Sequence, residues 1–269
     1  MKLNELVQYI EETYPTSLAC SWDNVGLMVG DLDTEINTVY TVIEINETVI
    51  KDAIKHNVDL IITHHPFIFS KLSNVTTASL KGNSIYQLLQ NNIAVYSMHT
   101  NFDIAFDGMN DYCMRYLGYE PTGCFEFETI PDEYVEKHNY KRPGLGRLCV
   151  LENEISMKDL CHKVKEAFAM ESLRYVGNLE DNIKTIAVVT GAGAEYFGEA
   201  KKAGADVLIT GDLKYHIAQD AVDQGMNIID CGHYETEHIF AEAMAKFIGK
   251  LDGIQVVCSN LDLNPIKLV

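Results

Sequence analysis

Apolar positions recur along the chain in two alternating periods. TVYTVIEIN (38–46) reads as a strand, and ETVIKDAIKHN (47–57) spaces its apolar residues as a helix does. VDLIIT (58–63) is a short, buried strand; SIYQLLQNN (84–92) returns to the helical period and leads into strand IAVYSM (93–98). The pattern reappears late in the chain, with strand TIAVVT (185–190), helix AEYFGEAKKAG (194–204), strand ADVLITG (205–211) and strand NIIDCG (227–232). Strands alternating with helices predict an α/β fold with largely parallel or mixed sheets.

Residues 119–147 break this rhythm. Pro121, Pro131, Pro143 and the GLGR turn (144–147) predict an irregular connection, with a boundary near residue 124. The expected lobes are 1–123, completed by 233–269, and 124–232. The halves also echo one another. KHNVDLIIT (55–63) aligns with KAGADVLIT (202–210), each with a lysine, an aspartate four on and a threonine four further. Beyond each lies another strand and then a histidine with a carboxylate four residues later: His99 with Asp103, His233 with Glu237. The echo fits either an internal duplication or a coincidence between two βα units.

Composition narrows the partners. The 269 residues are 47% hydrophobic, enough for a substantial core, and 39 acidic against 21 basic residues give a net charge of −18. Such a surface repels phosphate backbones and anionic lipids, so neither nucleic acid nor a membrane is expected as a partner. The seven cysteines are scattered without a Cys-x-x-Cys pair, which argues against a disulfide framework or a thiolate zinc knuckle. Lys2–Thr13 lacks the apolar core of a signal peptide, and no run is long enough to span a bilayer. A cytoplasmic protein is expected.

Ligands of open α/β sheets collect at the carboxyl ends of strands. His64 and His65 directly follow VDLIIT, and Pro66 holds His65 extended. Adjacent side chains on extended backbone diverge, which suits two neighbouring metals better than one. His99 and His233 end later strands, and each lies on one helical face with its acid if a helix begins there. Imidazole with carboxylate is the donor mix of zinc, manganese or iron sites, and a pair of such ions can generate hydroxide from water near neutral pH. Against this stands the ordinary role of a lone histidine as a hydrogen-bonded strand-end residue.

Weaker features surround these. Asp23 and Asn24 touch a ligand or merely form an Asx turn. Trp22 stacks on a base or, more in keeping with its type, closes the core. GAGAEYFG (191–198) offers amides to a phosphate or is a tight turn, the latter favoured because the dinucleotide fingerprint is incomplete. In GDLKYH (211–216), Asp212, Lys214 and His216 act on substrate, line its entrance or serve structure. Cys231 reads as a buried strand residue.

Five segments in order, WDNVGLMVGD (22–31), DLIITHHPFIF (59–69), SMHTNFD (97–103), GDLKYH and IDCGHYETEH (229–238), resemble the Nif-three-like dinuclear metal-binding family, whose members are labelled GTP cyclohydrolase 1 type 2 homologues. The resemblance implies two similar α/β lobes, a dinuclear site in the cleft between them and a ring-shaped homohexamer. It implies two divalent ions per subunit on His64, His65, Asp103, His233 and Glu237. Glu237 is the implied bridge, and His99 an additional ligand or near neighbour. The short stretch at 124–147 occupies the place where some relatives carry an extra domain. Glu44 stands where many relatives have an aspartate in the strand, and no ligand role is attached to it. Two functions follow as expectations. One is a metal-dependent hydrolase of a small, nucleotide-like substrate, with a bridging hydroxide as nucleophile and His99 or His216 carrying protons. The other is a non-catalytic metal-binding, metal-delivery or scaffold protein. For a triphosphate, only Lys214, Arg147 and the GAG turn suggest a clamp.

Overall fold

The computed structural model describes residues 1–126, 130–139 and 141–267. The chain divides into two compact units, Met1–Phe102 with His238–Val269, and Asp103–Glu237.

The first unit carries β1 (Gly26–Val29), β2 (Thr38–Val42), β3 (Leu60–Thr63) and β4 (Ala94–Ser97). The second carries β5 (Gly123–Phe125), β6 (Gly146–Ser156), β7 (Arg174–Val176), β8 (Asn182–Val188), β9 (Val207–Thr210) and β10 (Asn227–Asp230). The chain's last strand, β11 (Gln255–Cys258), returns to the first unit.

Sheet order in the first unit is β1-β4-β3-β2-β11, parallel throughout except for antiparallel β1. In the second it is β5-β6-β8-β9-β10-β7, with β8, β9 and β10 parallel and the flanking strands antiparallel. Both sheets are therefore mixed: the first has four parallel strands with antiparallel β1 on one edge, and the second a parallel trio flanked by antiparallel strands on both sides.

Alternation of side chains builds two cores on the first sheet. Tyr40, Val42, Ile61 and Val95 point to one face, where they meet Val49 and Ile50 of helix Glu47–Lys55 and Leu88 of helix Leu80–Gln90. On the other face Thr41 Oγ1 donates to the Ala241 carbonyl of helix Phe240–Ile248, and the Tyr96 hydroxyl donates to Glu11 of helix Leu3–Thr13. Each fully buried aliphatic side chain contributes about 1.5–3 kcal/mol.

The echoed aspartates do the same work in both sheets. Asp59 Oδ2 accepts from the amides of Asn37 and Thr38 at 2.8 and 2.9 Å, tying the start of β3 to β2. Asp206 Oδ2 accepts from Lys184 and Thr185, both at 2.8 Å, tying β9 to β8.

Two expectations are corrected. The strand foreseen over 38–46 stops at Val42, because Asn46 turns outward and its side chain accepts from the Val49 amide, capping the next helix. Residues 119–147 are not merely irregular: they hold β5, helix Asp132–Lys137 and the start of β6. Pro131 sits just before that helix, where a missing amide is harmless. Residues 127–129 and 140 of this stretch lie outside the described residues. All seven cysteines are free thiols, and among the described residues no helix is long and apolar enough to cross a membrane.

Candidate metal centre

Every candidate histidine of the first unit stands past the carboxyl end of a parallel strand, β3 or β4. His64 follows β3 and is fully buried, and its Nδ1 lies 2.8 Å from the Met98 carbonyl oxygen. A carbonyl only accepts, so Nδ1 carries the hydrogen and the lone pair sits on Nε2, the arrangement of a metal-ligating histidine held by its second nitrogen. His65 Nδ1 is 3.7 Å from Glu44 Oε2. His99, two residues past β4, directs Nδ1 to both oxygens of Asp23 at 3.0 Å. Asp23 also accepts from the Thr100 amide at 3.0 Å and from the Thr100 hydroxyl at 2.5 Å. Burial opposes ionisation of Asp23, but the bonds and charge from His99, together with those from Thr100, outweigh it and bring the carboxyl down to about 2.

The second unit repeats the device. His233 follows β10 and opens helix His233–Glu237, so Glu237 lies one turn on, with Oε2 2.9 Å from His233 Nε2. His233 Nδ1 points to Asp212 Oδ2 at 2.8 Å, and Asp212 follows β9 in a left-handed backbone conformation, φ 53°. Donors bonded to one ion at about 2.0–2.1 Å are themselves about 3 Å apart, so the His233–Glu237 spacing fits a shared ion.

Gly191, after β8, explains the GAG turn. Its φ is 62°, and a Cβ there would lie 2.1 Å from Glu237 Oε1 and 3.3 Å from His233 Nε2. Its amide donates to Thr236 Oγ1 at 2.9 Å. The turn is built to admit the Glu237 carboxylate, and the Gly191 amide is already engaged. Asp103 is held from its backbone: Asn110 Nδ2 donates to the Asp103 carbonyl at 3.2 Å, and Asn110 Oδ1 accepts from the Thr190 amide at 2.9 Å.

Two groups of three residues offer metal-ligating atoms that all lie within 4.8 Å of one another: His64, His65 and Glu237, and His64, His99 and Asp103. Of the residues singled out from sequence, His64, His65, His99, Asp103 and Glu237 belong to these groups, and His233 Nε2 lies 2.9 Å from Glu237 Oε2. His216 belongs to neither group; it is exposed at the start of helix Tyr215–Gln224, its ring 5.4 Å from that of Tyr215. Arg147 cannot clamp a phosphate. It is fully buried, its Nε and Nη2 donate to Asp111 at 2.7 and 2.9 Å, and Nη2 also caps the Ile104 and Ala105 carbonyls. Lys214 reaches Glu195 at 3.2 Å on the exposed surface. Trp22, expected in the core, is 61% exposed. Cys231 is buried, and burial raises its thiol well above the ordinary range, as a core residue requires.

Sequence reasoning passed over Asp23 and Asp212 as orienters and Gly191 as a spacer. The signal was partial: each of the two acids and the glycine lies in a glycine-containing turn next to a strand end, but the pairing of each acid with its histidine exists only in the folded chain.

Residues 1–265 match the family model described as Duf34/NIF3 (NGG1p interacting factor 3). A GTP cyclohydrolase 1 type 2 homolog of Clostridium acetobutylicum is 39% identical over 255 residues, covering 94% of this chain and 90% of its own. One from Clostridium perfringens is 36% identical, with both chains fully covered. Among solved structures, a Staphylococcus aureus hypothetical protein superposes with a TM-score of 0.90 at 29% identity, covering 100% of this chain and 99% of that one.

Proposed function

The chain belongs to the Duf34/NIF3 family, and from that premise we propose that it is a metal-dependent hydrolase of a small, nucleotide-like molecule, holding two divalent ions. The observation that carries the reading is the pair of histidine–carboxylate groups within 4.8 Å, together with the acceptors standing behind three of the histidines. Such backing fixes the tautomer and ring orientation that a metal-ligating histidine needs, and here it coincides with the clustering of the ligand atoms.

The ligand atoms divide between two ions. His64 Nδ1 faces Met98, so only Nε2 could face an ion, and His64 would serve a single one. His64, His99 and Asp103 would hold one ion, and His65, His233 and Glu237 the other. Zinc, manganese and iron all accept this donor set. When bound, a divalent pair supplies Lewis acidity that makes water a nucleophile near neutral pH. The protein's own part is to hold the imidazole lone pairs inward, through Met98, Asp23 and Asp212, and to keep room for Glu237 at Gly191.

Supporting this reading, several relatives bear the name GTP cyclohydrolase 1 type 2 homolog. The test uses protein purified without chelator, saturated with zinc or manganese and incubated with GTP, with formate and inorganic phosphate both measured. Release of one product, lost on chelation and in Glu237→Ala, is expected. Metal-saturated protein that releases neither from GTP or other nucleotides removes the hydrolase and leaves a metal-holding protein.

A further inference from the structure

Two large aromatic side chains stand in water beside the His99 ligand. Trp22 is 61% and Phe69 56% exposed. The indole lies edge-on to both neighbours, its ring centre 6.3 Å from Phe69 at 64° and 6.1 Å from His99 at 76°. Edge-on contacts leave ring faces uncovered, and a flat aromatic ligand stacks on such faces.

The exposure does not come from a loose loop. Cys20 donates its amide to Thr100 Oγ1 at 2.9 Å, and the Asp23 carboxylate accepts from His99 and Thr100. Asn24 Nδ2 donates to the Ile68 carbonyl at 2.5 Å, so the residue after Asp23 is tied to the residue before Phe69. Trp22 is thus pinned on both sides and kept out of the core, next to a residue of the metal group. Lys81, half-buried in the same unit, donates to the Phe67 carbonyl, and burial lowers its amine while the charge of Glu44 raises it.

Resting on the metal-dependent reading above, we propose that Trp22 and Phe69 form a stacking platform that holds the substrate by a planar aromatic ring and selects against molecules offering only a sugar or an aliphatic group. Stacking on such side chains tolerates different bases but requires a π face.

Trp22 is the chain's single tryptophan, so its fluorescence reports this site alone. The experiment titrates zinc-loaded and metal-free protein with guanosine and with ribose, and measures metal content separately by elemental analysis. Saturable quenching by guanosine and none by ribose is expected. Phe69→Ala should weaken guanosine at least about tenfold, and Trp22→Ala should do the same by calorimetry, with metal content unchanged in both. Absence of saturable quenching in both forms of the protein overturns the platform, as does equal binding of ribose. So does a Trp22→Ala variant that changes the sedimenting mass at unchanged guanosine affinity, because the patch then faces a second copy of the chain. Guanosine binding by protein that takes up no metal would sustain the platform and remove the metal-dependent reading instead.

Discussion

Replacing Gly191 by alanine places a methyl group in the space that Glu237 occupies. The new Cβ would lie 2.1 Å from Glu237 Oε1, against the 3.0 Å below which real Cβ contacts essentially never fall, so the carboxylate must retreat by roughly 1 Å. Metal–ligand distances tolerate about 0.2 Å, and lesser disturbances around ligands already cost 10–100-fold in affinity. A loss of about 100-fold is expected, equal to about 2.7 kcal/mol. Left-handed backbone at an alanine adds about 1–2 kcal/mol of folding cost, which lowers stability without touching the ligands. Gly225 separates the two effects: its φ of 65° matches the 62° of Gly191, and its added Cβ meets nothing within 4 Å. Competition against a chromophoric chelator reads affinity, and thermal unfolding reads strain. Both variants should lose similar backbone stability, but only Gly191→Ala should lose metal. Wild-type affinity in Gly191→Ala, or an equal loss in Gly225→Ala, would refute the reasoning.

Asp212→Ala removes the acceptor behind His233 and should weaken metal binding about 10–100-fold, while Asp212→Asn, which keeps an oxygen and tolerates the left-handed backbone, should recover most of it in the same chelator assay. Arg147→Met strands the buried Asp111 charge and the carbonyls of Ile104 and Ala105; a loss of about 3–5 kcal/mol and a melting temperature lower by about 10 °C are expected in calorimetry. Asp59→Ala and Asp206→Ala each orphan two strand amides, so denaturant unfolding should give comparable costs of about 1–3 kcal/mol; sharply unequal costs would reduce the echo between the halves to a likeness of letters.

The α/β class was legible because period-two and period-3.6 patterns alternate cleanly from Thr38 to Ser97 and again from Asn182 to Asp230. The histidines were legible because His64, His65 and His233 stand immediately after apolar strands or in the next turn. What stayed hidden depends on three dimensions. Asp23 and His99 are far apart in the chain, and only the pairing of β1 with β4 brings their neighbourhoods together. Trp22 looked like core by residue type, and its exposure is decided by hydrogen bonds that pin its loop. Arg147 looked like a free cation because its partner Asp111 lies 36 residues away. Between Tyr119 and Arg147, prolines masked a strand and a helix whose ends tolerate them.

These histidines and carboxylates are proposed to hold two metal ions. Anomalous scattering from crystals of protein purified without chelator, recorded at the zinc, iron and manganese edges, tests it most directly. Two peaks about 3.5–4 Å apart are expected, one against His64, His99 and Asp103, the other against His65, His233 and Glu237. A single peak, or peaks away from these side chains in metal-replete protein, would contradict the proposal.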